Sequence, residues 1–378
     1  MTPSHQHEFS RLDTFTDPAA FAFEQSKLAS IWTFLGLASD LPNDNDWFRT
    51  SLASRSVFVQ RFGKQLRAFE NVCAHRSFPL RNADKGNGPV VCGFHHWQYD
   101  REGRAVGIPQ CRQLFGKTPH ELNARLTEVE IALCGDFIFG RFRGLGTSET
   151  LEQYLAEGFP ILEAMSGGQS KRRSIKKISE SQLEVLPSDQ SRRLSHRCRP
   201  SRHARQAGIP EARKMSYFRF GPHSAYFTTP DRTALETMAT ECRAGEWRSA
   251  DFRLFQMFPN FIVAHFMVDH GFWYVVVLQH VAEGPDRTTM RSWFYPAPFP
   301  ADRSPLKRWT MRLTELVRPH LVGLALRHVQ RQDHAVCENH QTVAHQMPGK
   351  RRAGAFEERA VWFEEAYREA MARGEALA

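Results

Sequence analysis

Cys73-Ala74-His75 and, sixteen residues further on, Cys92-Gly93-Phe94-His95 decide the reading of this sequence. Each segment sets one thiol and one imidazole close together, and the chain does this twice. A [2Fe–2S] cluster that takes two thiolates on one iron and two imidazoles on the other needs this supply, one ligand of each kind from each of two loops. Cys73, His75, Cys92 and His95 are the cluster ligands on this reading. A single zinc ion held by two Cys and two His is the competing assignment. Zinc fingers and ribbons usually pair Cys with Cys and His with His, whereas here each loop mixes them. Cys111, Cys134, Cys198, Cys242 and Cys337 lack such spacing and read as small core residues. His96, beside His95, reads as a packing or supporting residue rather than a ligand.

The flanking sequence frames the two loops with strands. Ser56 to Phe62 alternates as a strand, Gly63-Lys64 is turn material, and Gln65 to Glu70 returns just before the first loop. Leu126 to Phe142 reads as more strand, turning at Gly135-Asp136. Phe23 to Leu37 is an apolar-periodic stretch and Leu151 to Met165 a helix. Phe255 to Asn260, Phe261 to Phe266, Phe272 to Gln279 and Thr288 to Tyr295 read as antiparallel strands, and Pro305 to Val329 and Phe356 to Ala372 as helices. No internal repeat is found. The chain divides into an N-terminal helical segment over 1–45, a cluster domain over 46–150 and a second domain over 151–378.

A chain of 378 residues can bury two cores. Met1 to Asp17 has no apolar h-region, so no secretory signal is expected. The longest apolar candidate for a span, Phe261 to Val281, is broken by His265, Asp269, His270 and His280, so no membrane association is expected. Seven cysteines without an export signal fit a reducing, cytoplasmic setting better than a disulfide framework. The net charge of +9 is concentrated. Lys171 to Arg213 holds twelve Lys/Arg against four Asp/Glu, a net of +8, which leaves about +1 for the other 335 residues. The basicity belongs to one segment and not to a nucleic-acid-binding face. Phe, Trp and Tyr are missing between Pro160 and Ser216, although they make up 12% of the chain.

Asn71-Val72-Cys73-Ala74-His75-Arg76 and Cys92-Gly93-Phe94-His95-His96-Trp97-Gln98-Tyr99-Asp100, with Gly103 and Pro109, resemble the Rieske domain of the Rieske non-heme iron oxygenases. These are the large subunits of aromatic-ring-hydroxylating dioxygenases and related demethylating monooxygenases. The family usually has Gly where this chain has His96. The resemblance covers about 30–165 and resumes over about 217–345, where Phe258-Pro259-Asn260 and Gly284-Pro285-Asp286-Arg287-Thr288 resemble strand starts of the catalytic domain. It implies an α+β fold, with an antiparallel β-sandwich carrying the cluster loops at one end. A helix-grip-like antiparallel sheet with helices follows, enclosing an apolar pocket. It also implies a mononuclear Fe(II) held by two His and one carboxylate, and Gln332-Asp333-His334 to Glu338 resembles the carboxylate segment, which places Asp333 on that iron. The implied partners are O2, a small aromatic or apolar substrate, an NAD(P)H-dependent reductase or a ferredoxin, and two further copies of the chain in a homotrimer. No Gly-rich dinucleotide loop is present. The implied activity is hydroxylation or oxidative demethylation, and the alternative is a Rieske electron-transfer protein without oxygen chemistry.

One part of the family pattern is missing. The two iron histidines belong to an Asp-Tyr-His-x4-His motif after Asn-Trp-Lys, and the chain has none. His196 and His203 lie near the expected place but are seven residues apart, not the five of the motif, and so are wrongly spaced. Read one base out of frame, however, Arg193-Leu194-Ser195-His196 written CGA-CTA-TCA-CAT gives GAC-TAT-CAC, which is Asp-Tyr-His. From Gln182 through Ala207 one consistent set of synonymous codons gives Asn-Trp-Lys at the start and the spaced histidines in order. Residues from about 170 to about 214 are therefore read as out of frame between two compensating slips, with a divergent basic linker as the alternative.

Overall fold

The computed structural model describes residues 17–143, 148–166, 180–183, 215–229, 231–247, 251–269, 272–285, 287–296, 324, 331, 335, 339 and 357–373. Helix α1 (Pro18–Leu28) opens them. Asp17 caps it by accepting from the Ala19 N–H at 3.0 Å, with Pro18 at the first helical position. The helix stops at Leu28. The second half of the apolar stretch is strand β1 (Thr33–Leu37), buried at every position. Thr33 and Phe34 favour the pleat, and pairing with a neighbouring strand overrides the helical period. The expected helical segment over 1–45 is corrected to that extent.

Nine further strands complete the first part: β2 (Asp46–Leu52), β3 (Arg55–Phe62), β4 (Gln65–Glu70), β5 (Lys85–Asn87), β6 (Val90–Val91), β7 (Gln98–Tyr99), β8 (Ala105–Gly107), β9 (Glu128–Cys134) and β10 (Phe137–Phe142). Short helices α2 (Cys111–Phe115) and α3 (Pro119–Leu122) lie between β8 and β9. One sheet runs β1-β10-β9-β4-β3-β2-β5 and a smaller one β6-β7-β8. The hairpins read from the sequence are present, β3 with β4 through Val57↔Glu70 to Phe62↔Gln65, and β9 with β10 around Gly135 at φ +59°. The Leu151–Met165 stretch is two helices, α4 (Leu151–Leu155) and α5 (Gly158–Met165), because Ala156 takes φ +48° between them.

The second part is one seven-stranded antiparallel sheet. Its order is β11 (Glu180–Leu183), β17 (Arg287–Pro296), β16 (Phe272–Gly284), β15 (Phe261–Asp269), β14 (Arg253–Met257), β13 (His223–Phe227) and β12 (Ser216–Phe220). Helices α6 (Ala234–Ala244) and α7 (Glu358–Ala372) accompany it. β12, β13 and α6 are not read from the sequence, nor is β11, which lies inside the aromatic-free segment. The expected helix over 305–329 lies outside the described residues apart from Leu324, which is helical.

The two parts share a core. Phe34 on β1 stacks on Phe261 at 4.2 Å and meets Trp293 edge-on at 5.7 Å. The Asn260 side chain accepts from the Phe34 N–H and donates to its carbonyl, both at 3.3 Å, and Gln279 donates to the same carbonyl at 2.7 Å. The Phe258-Pro259-Asn260 turn thus serves to dock the second sheet on the first. His223 is fully buried; its ring links the Tyr154 carbonyl at 2.8 Å and the Phe258 N–H at 3.1 Å. Nδ1 must accept from that N–H, so the neutral ring is the one that fits, and burial pushes its pKa down to about 4. His265 is likewise held down to about 4.

Two outcomes follow from this packing. Asn260→Ala is expected to cost about 1–3 kcal/mol in urea unfolding, since it orphans the buried Phe34 N–H. Both histidines bind protons more readily when unfolded, so stability is full above pH 6.5 and falls as the pH drops towards about 4. His223→Gln should flatten that slope, and a slope equal to that of the parent protein would assign the acid loss elsewhere.

Candidate iron–sulfur site

Both ligand loops follow directly from strands and close on themselves in the same way. The Cys73 N–H donates to the Phe78 carbonyl at 2.9 Å, and the Ser77 N–H to the Cys73 carbonyl at 3.0 Å. In the second loop the Cys92 N–H donates to the Trp97 carbonyl at 2.9 Å, and the His96 N–H to the Cys92 carbonyl at 3.0 Å. Ser77 and His96, each four residues after its cysteine, both take a left-handed backbone, at φ 55° and 56°. That explains why glycine suits the position of His96. The His96 side chain is exposed, so it is not the packing residue that the sequence suggests. Asn71 clamps the first loop by accepting from the Arg81 N–H at 2.7 Å and donating to its carbonyl at 2.8 Å. Gly103, at φ +72°, lets Phe69 pack beneath the site: a Cβ there would lie 2.6 Å from the Phe69 ring.

The four predicted ligands come together. Cys73 and Cys92 are buried, at 2% and 1% exposure, and close enough to interact directly. His75 and His95 lie at the rim with ring centroids 4.7 Å apart, both half-buried. Trp97 stacks on His75 at 4.8 Å with the planes 2° apart, and Phe115 meets both rings edge-on. Phe94 covers His95 at 3.8 Å. The Tyr99 hydroxyl lies 3.0 Å from Cys73 Sγ and accepts from the Ala74 N–H at 3.0 Å, which leaves its own proton for the sulfur. Sequence reading quoted Tyr99 and Trp97 without giving them roles. The alternation of Trp97 and Tyr99 with exposed Gln98 was the available signal for a buried pair.

The residues fit the cluster. His75 Nδ1 is a buried ring nitrogen without a hydrogen-bond partner, as a nitrogen reserved for a metal would be. Burial lowers the His75 pKa and so favours the neutral ring, the form that can give a lone pair to a metal. Burial also raises the Cys73 thiol and the Tyr99 phenol, so Tyr99 stays a donor while the thiol needs a metal to ionise it. Zinc requires four donors converging on one point. Here Cys73 meets Cys92 and His75 meets His95, a pairing by kind. A two-iron cluster asks only for sulfur pairing at one end and imidazole pairing at the other.

Asp333, His196 and His203 lie outside the described residues, as do Cys198 and Cys337. Cys111 and Cys134 are buried and Cys242 is half-buried, as core cysteines should be.

Residues 31–124 match the family model described as the Rieske [2Fe-2S] domain. The first part of the chain thus contains a Rieske [2Fe-2S] domain. Curated relatives include proteins named as the large subunit or large oxygenase component of dioxygenases and a hydroxylase. The anthranilate 1,2-dioxygenase large subunit of Acinetobacter baylyi is 30% identical over 156 residues, which cover 40% of this chain and 33% of the relative. The chain therefore matches about a third of the length of the curated relatives. Solved structures extend the likeness to the whole fold. Naphthalene 1,2-dioxygenase from Rhodococcus sp. superposes with a TM-score of 0.72 at 16% identity, covering 96% of this chain and 94% of that one. The quaternary ammonium Rieske monooxygenase CntA gives 0.70 at 14%, covering 96% and 95%.

Tyr99→Phe removes a hydrogen bond to a cluster sulfur and is expected to lower the reduction potential with the visible spectrum retained; redox titration reads this directly. His96→Gly is expected to stabilise the protein by about 1 kcal/mol by relieving a left-handed side-chain residue.

Proposed function

We propose that this chain is the oxygenase component of a Rieske non-heme iron system. Its reaction is the O2-dependent hydroxylation or oxidative demethylation of a small apolar or aromatic compound. The observation that carries this is the extent of the fold: a cluster domain is joined through Phe34, Asn260 and Gln279 to a seven-stranded sheet that an electron carrier does not need. When bound, the cluster supplies one-electron transfer at a potential raised by its histidine ligands. The protein's part is to hold Cys73 and Cys92 away from water, to present His75 and His95 at the surface, and to keep a Tyr99 proton on Cys73. Phe94, Leu114 and Phe115, exposed at 52%, 65% and 36%, form an apolar collar on that histidine edge. The collar fits an electron-delivering reductase or ferredoxin on one side of the redox cycle and a second copy of the chain, within a homotrimer, on the other. Asp333 is the proposed carboxylate ligand of the mononuclear iron.

One observation favours the second reading, a Rieske protein without oxygen chemistry. The literal sequence lacks the Asp-Tyr-His-x4-His motif, and the out-of-frame reading over about 170–214 restores it. A protein of the literal sequence is expected to bind the cluster, about two irons per chain, and to show no substrate-dependent O2 uptake with NAD(P)H and a reductase. Resequencing across residues 165–220 tests the frame. A continuous frame giving Asp-Tyr-His-x4-His should restore a third iron and O2 uptake. A third iron and uptake by the literal chain would refute the frame reading, and a restored frame without uptake would refute the oxygenase.

A further inference from the structure

Arg359 is, among the described residues, the largest side chain that the fold buries completely, at 0% exposure. It projects from the first turn of α7 onto the second sheet, where Nε donates to Ser224 Oγ at 3.2 Å and Nη2 to Gln256 Oε1 at 2.6 Å. Its guanidinium lies 4.7 Å over the Tyr226 ring. All these neighbours are neutral. Nη1 has no hydrogen-bond partner, and no carboxylate among the described residues pairs with the side chain. Burial alone pulls its pKa down to about 10.

The other arginines show how this protein ordinarily satisfies an inward guanidinium. Arg141 has Glu130 at 2.9 Å, Arg253 has Asp251 at 2.5 Å, and Arg55 has Glu70 at 2.8 Å. Arg81, buried and also without a carboxylate among the described residues, takes Gln60 Oε1 at 2.5 Å and the Gly88 carbonyl at 3.0 Å beside Trp47 and Phe58, and its Nε is left without a partner. An uncompensated buried charge is costly unless something pairs with it. Arg359 has a second orphan beside it. Gln256 gives its Oε1 to Arg359, which fixes the amide orientation, and its Nε2 is buried with no acceptor. Ser224 Oγ, having accepted from Arg359, keeps its own proton to give. Two orphaned donors and a hydroxyl thus belong to one hydrogen-bonded group that has no acceptor among the described residues. Strand alternation puts Tyr226, Leu254 and Ile262 on the same face as Ser224 and Gln256, forming a buried apolar cluster next to the charged end.

We propose that Arg359, Gln256 and Ser224 form a receptor for the carboxylate of a small molecule whose apolar body lies along the Tyr226–Leu254–Ile262 face. Arg359 Nη1 and Gln256 Nε2 each donate to a carboxylate oxygen, and the ligand's charge supplies the counter-ion that the fold omits. This rests on the oxygenase reading only in naming that molecule as the substrate class; the binding itself does not require oxygen chemistry.

The test uses the full chain with its cluster, and thermal unfolding in sodium benzoate, in benzamide and in sodium chloride at matched ionic strength. Benzoate is expected to raise the melting temperature by several degrees, while benzamide and chloride do not. Arg359→Met should melt at least as high as the parent protein without ligand and lose the benzoate response. Gln256→Glu, which places a carboxylate on Arg359 from within, should melt higher without ligand and also lose the response. Cluster absorbance should be unchanged in both, which reports the fold. If Arg359→Met fails to fold, Gln256→Glu decides alone. No benzoate response in the parent protein, an equal response to chloride, or a full response in either folded variant overturns the proposal. A benzoate response that depends on Arg359, in a protein whose restored frame still shows no O2 uptake, refutes the oxygenase reading and leaves the receptor standing.

Discussion

The iron–sulfur end of this protein depends on keeping two thiols dry. Cys73 and Cys92 are almost completely buried, and burial raises the Cys73 thiol above its ordinary range. Without a metal that environment holds sulfur in its protonated form. With one, the same low-dielectric setting strengthens the metal–thiolate bond and the Tyr99 hydrogen bond to it. The loops achieve this by closing on their own backbones, so each cysteine carbonyl and N–H is satisfied without water. The histidines answer a different requirement. Half-buried at the rim, they bring the imidazole end of the cluster near the surface, where electron exchange with another protein has a short path.

The second sheet is tied to the first by a small number of polar contacts set in an aromatic core. Phe34 is the pivot. Its ring stacks on Phe261, while its backbone is read by Asn260 and Gln279. Side-chain amides satisfy backbone groups that a strand neighbour would otherwise satisfy, so β1 can serve as the edge of one sheet and as a docking ridge for another. Arg291, reaching Thr50 at 2.9 Å, adds a contact across the same seam.

The sequence makes the cluster domain legible because its constraints are local. The Cys-x-His and Cys-x-x-His spacings, the hairpin at Gly63-Lys64 and the turn at Gly135-Asp136 are each settled within a few residues. What the sequence leaves out is what depends on distant partners. Thr33 to Leu37 carries the period of a helix yet pairs with β10. Ala156 splits one expected helix into two. Tyr99 gains its role only when Cys73 is brought to it across 26 residues of chain. β12 and β13 are short strands on either side of Gly221-Pro222, a turn signal that the sequence reading leaves unused. Conversely, only the sequence bears on residues that are not described: the proposed iron carboxylate at Asp333 and the proposed frame reading over 170–214.

These two kinds of information bear on different ends of the same chain. The cluster site needs nothing beyond about residue 142 to satisfy its own hydrogen bonds: the clamps at Asn71, the loop closures and the aromatic cover all come from β3, β4, β6, β7 and α2. Among the described residues, a defect confined to 170–214 reaches the first domain by way of Arg291, which pairs with Glu180 and contacts Thr50, or through the seam at Phe34. That seam is built from Phe261, Gln279 and Trp293 on the middle strands β15, β16 and β17, whereas the abnormal segment contributes β11 at the sheet's edge. Loss of the iron motif and survival of the Rieske domain are thus compatible in one folded chain, because the element that a frame slip would alter is peripheral to the element that holds the two halves together.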